Sequence, residues 1–162
     1  NFPFATGNRI IAEENLLSRY ADYGQVQVSD VLIAEGVRQE QTESVVTVME
    51  LTDLDLTIPD FALEPEGLWS KFAELTIGKD IDFQDQPGFS KKFYLRGRDE
   101  AAIREFFTPA LRSFLENREV THIECQHNKL LLFKRIGLME PAEIIYLQKY
   151  ADEFVALIKT LK

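Results

Sequence analysis

The chain has 162 residues, 45% of them apolar and 28% charged, which excludes an intrinsically disordered protein and predicts a single globular domain over residues 1–162. Cys125 is the only cysteine, which excludes an intrachain disulfide and a cysteine-based zinc site within one chain and favours a reducing compartment. No apolar run approaches the ~20 residues that span a bilayer, and the net charge of −9 argues against nucleic acid as a partner, because phosphate binding needs clustered Lys and Arg.

The first third of the chain has the pattern of β-strands. Alternation begins at Gln25 and continues to Ile33, and a β-branched run follows at 45–49 after a polar turn at 38–44. We expect these two runs to form an antiparallel pair. Residues 9–20 fit neither the helical nor the strand period, and the expectation there is a strand that gives way to irregular structure.

A short extended segment and a short helix are predicted next. Pro59 and Pro65 frame the extended segment 60–64, in which alternate side chains share one face. Apolar residues then recur at helical spacing over 68–75, and Gly78 is the expected C-terminal stop. The predicted order at this point is therefore strand, then helix.

Alternating patterns resume before a long helical stretch. Residues 80–83 and 92–96 predict two strands on either side of a turn at Pro87-Gly88. An Asp N-cap then begins an amphipathic helix over 99–118. Because Thr108-Pro109 is itself an N-cap followed by a first-turn proline, this stretch is either one kinked helix or two abutting helices.

The last part of the chain predicts a hairpin and a helix. Segments 120–126 and 130–135 flank the polar turn 127–129, which indicates a β-hairpin. Pro141 begins a C-terminal amphipathic helix. Its apolar stripe is Ile144, Leu147, Ala151, Phe154, Val155, Ile158 and Leu161. The element order lacks a regular βαβ alternation, so the predicted class is α+β, an antiparallel or mixed sheet with helices packed mainly on one face.

Charge is unevenly distributed along the chain. Residues 1–88 carry 5 Lys and Arg against 17 Asp and Glu, a net −12, whereas residues 89–162 carry 13 against 10, a net +3. In the simpler interpretation the two halves pack with complementary surfaces. The alternative is that the basic part contacts an anionic partner.

One basic stretch is a candidate anion-binding site. Lys92, Tyr94 and Arg96 are expected to share the exposed face of one strand, and Arg98 follows in the next turn. A lipid headgroup or a peptide carboxylate would be a suitable ligand. The competing interpretation, which we favour, is that outward Lys and Arg side chains protect an edge strand from aggregation.

A carboxylate site is the second candidate. Hard cations take several carboxylate oxygens, and paired carboxylates divide into acid and base, so a metal-dependent hydrolase can be drawn from acidic residues. Its candidate residues are Glu64, Glu66, Asp80 and Asp82. The simpler interpretation is the solvent face of a half-buried strand. A zinc site from His122, Cys125 and His127 is not expected, because His122 and Cys125 point to opposite faces of a strand.

Several stretches of the chain carry a resemblance that spans most of its length. They are Thr6-Gly7-Asn8-Arg9 with Asn15-Leu16-Leu17, Phe61-Ala62-Leu63-Glu64-Pro65-Glu66-Gly67-Leu68, Asp80-Ile81-Asp82-Phe83, Phe89-Ser90 and Tyr94-Leu95-Arg96-Gly97. Together they resemble a family of uncharacterised bacterial proteins. That resemblance implies a cytosolic domain that follows N-terminal membrane-spanning helices and is tethered to the inner membrane. The chain departs from the family pattern at Val28-Ser29-Asp30-Val31, which puts a role for that strand in doubt.

The sequence therefore favours a binding function over a catalytic one. The first hypothesis is a non-catalytic interaction module with a protein partner, located in the cytoplasm at the face of the inner membrane. The alternatives are the carboxylate-based hydrolase and the binding of an anionic headgroup through the basic strand. No cofactor is predicted, since neither a phosphate-binding glycine loop nor a nucleophile elbow is found in the sequence.

Overall fold

The structure is a computed structural model that describes residues 9–35, 42–66, 79–119 and 121–161. Within these ranges the chain forms a single sheet and four helices. The strands are β1 Arg9–Ala21, β2 Gly24–Glu35, β3 Thr42–Thr52, β4 Phe61–Pro65, β5 Phe93–Arg96, β6 His122–Gln126 and β7 Lys129–Phe133. The helices are α1 Pro87–Lys92, α2 Glu100–Phe106, α3 Pro109–Glu116 and α4 Pro141–Thr160.

The seven strands form an antiparallel sheet in the order β1-β2-β3-β7-β6-β4-β5. β1, β2 and β3 are a meander, and the β6–β7 hairpin attaches to it where Leu51 lies opposite Leu130. β4 then pairs with both β6 and β5 through Ala62, which lies opposite Glu124 on one side and Arg96 on the other. The sheet therefore ends at two edge strands, β1 and β5.

The main core lies between one face of the sheet and the four helices. This helix-bearing face presents residues such as Met49, Leu63 and Leu132, and it packs against buried side chains of every helix. In α4 the fully buried positions include Leu147 and Phe154. The predicted α+β class, with helices on one face and an amphipathic C-terminal helix docked on the sheet, is confirmed.

The opposite face of the sheet is also buried in its centre. A second apolar cluster there consists of Val31, Ile33, Val46, Val48, Leu131 and Phe133. These residues alternate along their strands with residues of the main core, as the two-residue period of a strand requires. Burial on both faces explains the nearly continuous apolar runs at 45–49 in β3 and at 130–133 in β7.

Side-chain caps set the starts of α2 and α3. The Asp99 carboxylate accepts from the amide of Ala102 at 3.0 Å, and the Thr108 hydroxyl oxygen accepts from the amide of Leu111 at 3.3 Å. Each cap satisfies an amide that has no partner within its own helix. The stretch that the sequence left open is therefore two abutting helices and not one kinked helix.

Three local predictions are wrong. Residues 9–20 do not give way to irregular structure, because β1 continues through them with register shifts at Ile10/Ala12 and Glu14/Leu17. Residues 80–83 form no ladder, because their contact with β5 is the amide of Ile81 donating to the carbonyl of Leu95. Pro87-Gly88 is not a turn but the start of α1. The predicted helix at 68–75 and most of the predicted turn at 38–44 lie outside the described residues.

Every helix within the described ranges is too short or too polar to cross a lipid bilayer.

Candidate functional site

The structure does not gather the predicted basic residues on an exposed face. Lys92 ends α1, and its ammonium group donates to the backbone carbonyls of Glu116 at 2.5 Å and Arg118 at 2.7 Å. Arg96 is only 1% exposed, so the expectation that it lies on a solvent-facing surface is wrong. Tyr94 is half-buried beneath the Arg96 guanidinium, and of the four predicted residues only Arg98 is exposed.

Arg96 is buried because the β4–β5 register places it next to Glu64. Arg96 lies opposite Ala62, which makes Glu64 its diagonal neighbour on the same face. Its Nη2 donates to the Glu64 carboxylate at 2.6 Å. A guanidinium and a carboxylate that leave water together must be paired, because an isolated charge is very costly in the interior.

The predicted carboxylate set is divided between two environments. Glu64 points to the face opposite the helices and binds Arg96, whereas Glu66 lies in the exposed turn that follows β4. Asp80 accepts from the amide of Leu95 at 3.2 Å. Burial raises the pKa of Asp80, and the nearby charges of Asp82 and Glu66 raise it further. Among the described residues no group of three or more His, Cys, Asp or Glu side chains could hold a metal ion.

A second buried ionisable pair went unnoticed at the level of sequence. His122 and Glu124 are two residues apart on β6, and their side chains meet at 2.6 Å between the imidazole Nε2 and a carboxylate oxygen. The imidazole stacks on Phe133, with ring centroids 4.2 Å apart. The i, i+2 spacing was the available signal, but the sequence does not show that both faces of β6 are buried. Cys125 lies on the other face, and burial raises its thiol pKa to about 12.

These four side chains form a row across the face opposite the helices, which we call the buried ionic row: Glu64, Arg96, His122 and Glu124. Ala62 connects its two halves, since it lies between Arg96 and Glu124 in register. A histidine beside a carboxylate can transfer protons. However, each member of the row is at most 2% exposed, so a substrate reaches it only after a rearrangement. The arrangement is suited to fixing strand register.

β1 has the opposite character, because its apolar side chains face solvent. Four of the eight large apolar residues that are exposed in the described ranges lie on this one strand. They are Ile11, Leu16, Leu17 and Tyr20. Leu17 is 67% exposed and Tyr20 is 81% exposed. An exposed apolar edge strand offers both side chains and unpaired backbone groups to another chain.

The other edge of the sheet is closed. The segment before α1 lies along β5, where the amide of Ile81 donates to the carbonyl of Leu95 and the Asp80 carboxylate accepts from the Leu95 amide. The amide and the carbonyl of Leu95, on the outer side of β5, thus have partners within the chain. In the part of the chain that the structure describes, no residue hydrogen-bonds to the outer side of β1 in this way.

A cleft of about 490 Å³ opens beside the end of β1, between the β1–β2 turn and α4. Arg19 pairs there with Asp152 at 3.0 Å, and the Tyr23 hydroxyl donates to the same carboxylate. Burial and this hydrogen bond raise the pKa of Tyr23. The cleft therefore borders the exposed strand with a preformed polar network. A second, more apolar groove of about 370 Å³ lies between α2 and the end of α4.

The candidate site is the β1 edge: the outer side of β1 with its exposed apolar residues, bordered by the Arg19–Asp152 pair. It is defined by geometry alone. No family model and no curated protein matches the sequence, and no solved structure matches the fold.

Proposed function

We propose that the chain is a non-catalytic interaction domain that binds an extended protein segment along the β1 edge. The observation that carries this proposal is the concentration of exposed apolar residues on one open edge strand. Strand addition obtains affinity from backbone hydrogen bonds and specificity from alternate side chains. The proposed setting, the cytoplasm at the face of the inner membrane, rests on the family resemblance.

The register shifts in β1 support selective pairing. Asn15 has φ of 54° within the second shift, a left-handed backbone conformation that interrupts the regular ladder. Bulges and charges are the devices by which proteins keep edge strands from pairing indiscriminately. An edge that retains apolar side chains despite these devices accepts only a strand whose register matches the bulge.

The engagement of ionisable side chains in the interior favours binding over catalysis. The members of the buried ionic row are paired with one another, as Arg96 is with Glu64 and His122 with Glu124. The thiol of Cys125 is buried, and at a pKa of about 12 it stays protonated at neutral pH and is a poor nucleophile. These side chains, which could otherwise do chemistry, are thus engaged in the fold, while no described residue hydrogen-bonds to the outer side of β1.

A peptide-display selection tests the proposal without a known partner. Random extended peptides selected on the purified domain should shift the amide resonances of β1, and Leu17→Asp should abolish their binding. Ile145→Asp is the matched control, because Ile145 on α4 is 68% exposed and its substitution adds the same charge. Circular dichroism checks that both variants fold. Selected peptides that map to another surface, or that bind Leu17→Asp and wild type equally, would refute the proposal.

A further inference from the structure

We propose that the strand added at the β1 edge is β1 of a second copy, so that two antiparallel β1 strands join two sheets across a two-fold axis. This inference rests on the proposed function and names its partner. Two-fold pairing of identical strands is necessarily antiparallel, and it makes each residue's contact occur twice. Such a pair forms only if the side chains of β1 complement the same side chains in reversed order.

The first condition is that residues opposed across the two-fold axis lie on the same face of the sheet. Arg19 lies opposite Val26 of the helix-bearing face, and Glu14 lies opposite Asp30, which shares that face with Val26. Without a bulge, residues 14 and 19 would point to opposite faces, since they are an odd number apart. The register shift at Glu14/Leu17 brings both to the helix-bearing face.

The residues on the face away from the helices meet the same condition. Glu13 lies opposite Val31, a member of the cluster on the face away from the helices, and Tyr20 lies opposite Gln25 on that same face. Directly opposed residues in an antiparallel pair share a face. A two-fold pair with Glu14 opposite Arg19 therefore also places Glu13 opposite Tyr20, and the two faces match at both positions.

The charges on β1 favour the register that places Glu14 opposite Arg19. Glu14 opposite Arg19 gives two identical ion pairs across the axis, whereas displacing the strands by two residues places Glu14 opposite Leu17. In the favoured register, when the bulge is counted, Asn15 and Leu16 of one copy lie opposite Ser18 of the other, and Leu17 lies opposite Leu17 on the two-fold axis, so the exposed Leu17 side chains at the centre cover each other. Arg19 is already held in place by Asp152 and is still 37% exposed, which leaves it accessible to a second carboxylate.

The two ion pairs permit a charge-exchange experiment. Sedimentation equilibrium of the whole chain at physiological salt, about 0.15 M, should show a concentration-dependent dimer. Glu14→Arg and Arg19→Glu should each weaken it at least about tenfold, because like charges then face each other twice. An equimolar mixture of the two variants should dimerise again. In the mixed dimer one copy is basic at both positions and the other is acidic at both, so opposite charges face each other at each contact.

Controls and a second measurement keep the outcome clear. Glu105→Arg and Lys149→Glu are the controls, because both residues are exposed and the two substitutions make the same changes in net charge outside β1. In the wild-type chain, the amides of β1 should become more protected from hydrogen exchange at high concentration. A monomer at all concentrations, a dimer insensitive to both reversals, or a mixture that stays monomeric would overturn the inference. If the chain is monomeric but selected peptides bind β1, only the second copy is wrong; if neither occurs, the proposed function also fails.

Discussion

Removing Arg96 alone should destabilise the fold far more than removing both members of its ion pair. Arg96→Met leaves the Glu64 carboxylate, which is 1% exposed, without its cation. Breaking a buried pair in this way costs about 3–5 kcal/mol. The double variant Glu64→Leu/Arg96→Met removes both charges and replaces them with apolar groups of similar size. Its free energy of unfolding should return to within about 1–2 kcal/mol of wild type.

Urea unfolding with linear extrapolation measures these differences, and an unchanged m-value would show that the transitions are comparable. Arg104→Met is the matched control, because Arg104 forms an exposed i, i+4 pair with Glu100 at 2.7 Å, a kind of pair worth about 0.3–0.5 kcal/mol. If Arg96→Met costs no more than Arg104→Met, the pair does not carry the assigned weight. If the free-energy costs of the single substitutions Glu64→Leu and Arg96→Met simply add in the double variant, the two charges are not coupled. That result would equally contradict the reasoning.

Two further predictions concern α4. Phe154→Ala should lower the free energy of unfolding by about 3–5 kcal/mol, because the ring is fully buried, whereas Ile145→Ala on the exposed face should change it by less than about 0.5 kcal/mol; equal urea midpoints for the two would show that α4 is not docked. Arg135 and the Glu140 amide lower the pKa of Glu143 from 4.5 to about 2. The stabilising contribution of the Glu143 carboxylate to the free energy of unfolding is therefore complete above pH 4.5 and is lost as pH falls towards 2. The stability difference between wild type and Glu143→Gln should therefore shrink over that interval, and a difference that grows on acidification would reverse the assignment.

Elements marked by local chemistry could be predicted from the sequence. Asp99 and Thr108 are capping residues whose effect operates within a few positions, and Pro141 begins α4 where the apolar stripe starts. The polar turn between β6 and β7 is similar, since His127 and Asn128 both adopt positive φ. These signals do not depend on the rest of the fold.

Features that depend on distant pairing could not be predicted in this way. The bulges of β1 change which residues share a face, so its sequence matches neither period although the strand is continuous. Arg96 has the same alternation as an exposed strand residue, and only the β4–β5 register places it beside Glu64. The β1 edge itself was not anticipated, because nothing local shows that β1 stands at the end of the sheet.

The strand order has a consequence for how the chain is made. The last strands in the sequence, β6 and β7, occupy the middle of the sheet, and β7 joins the N-terminal meander to the remainder. During synthesis, the β1–β3 meander therefore leaves the ribosome with one side of β3 unpaired, until β7 emerges to pair with Met49 and Leu51 and the remaining elements of the main core follow. A chain that stops before Lys129 would lose β7, which is a central strand of the sheet and not an edge strand. It would leave β3 without its neighbour and separate the meander from β4 and β5.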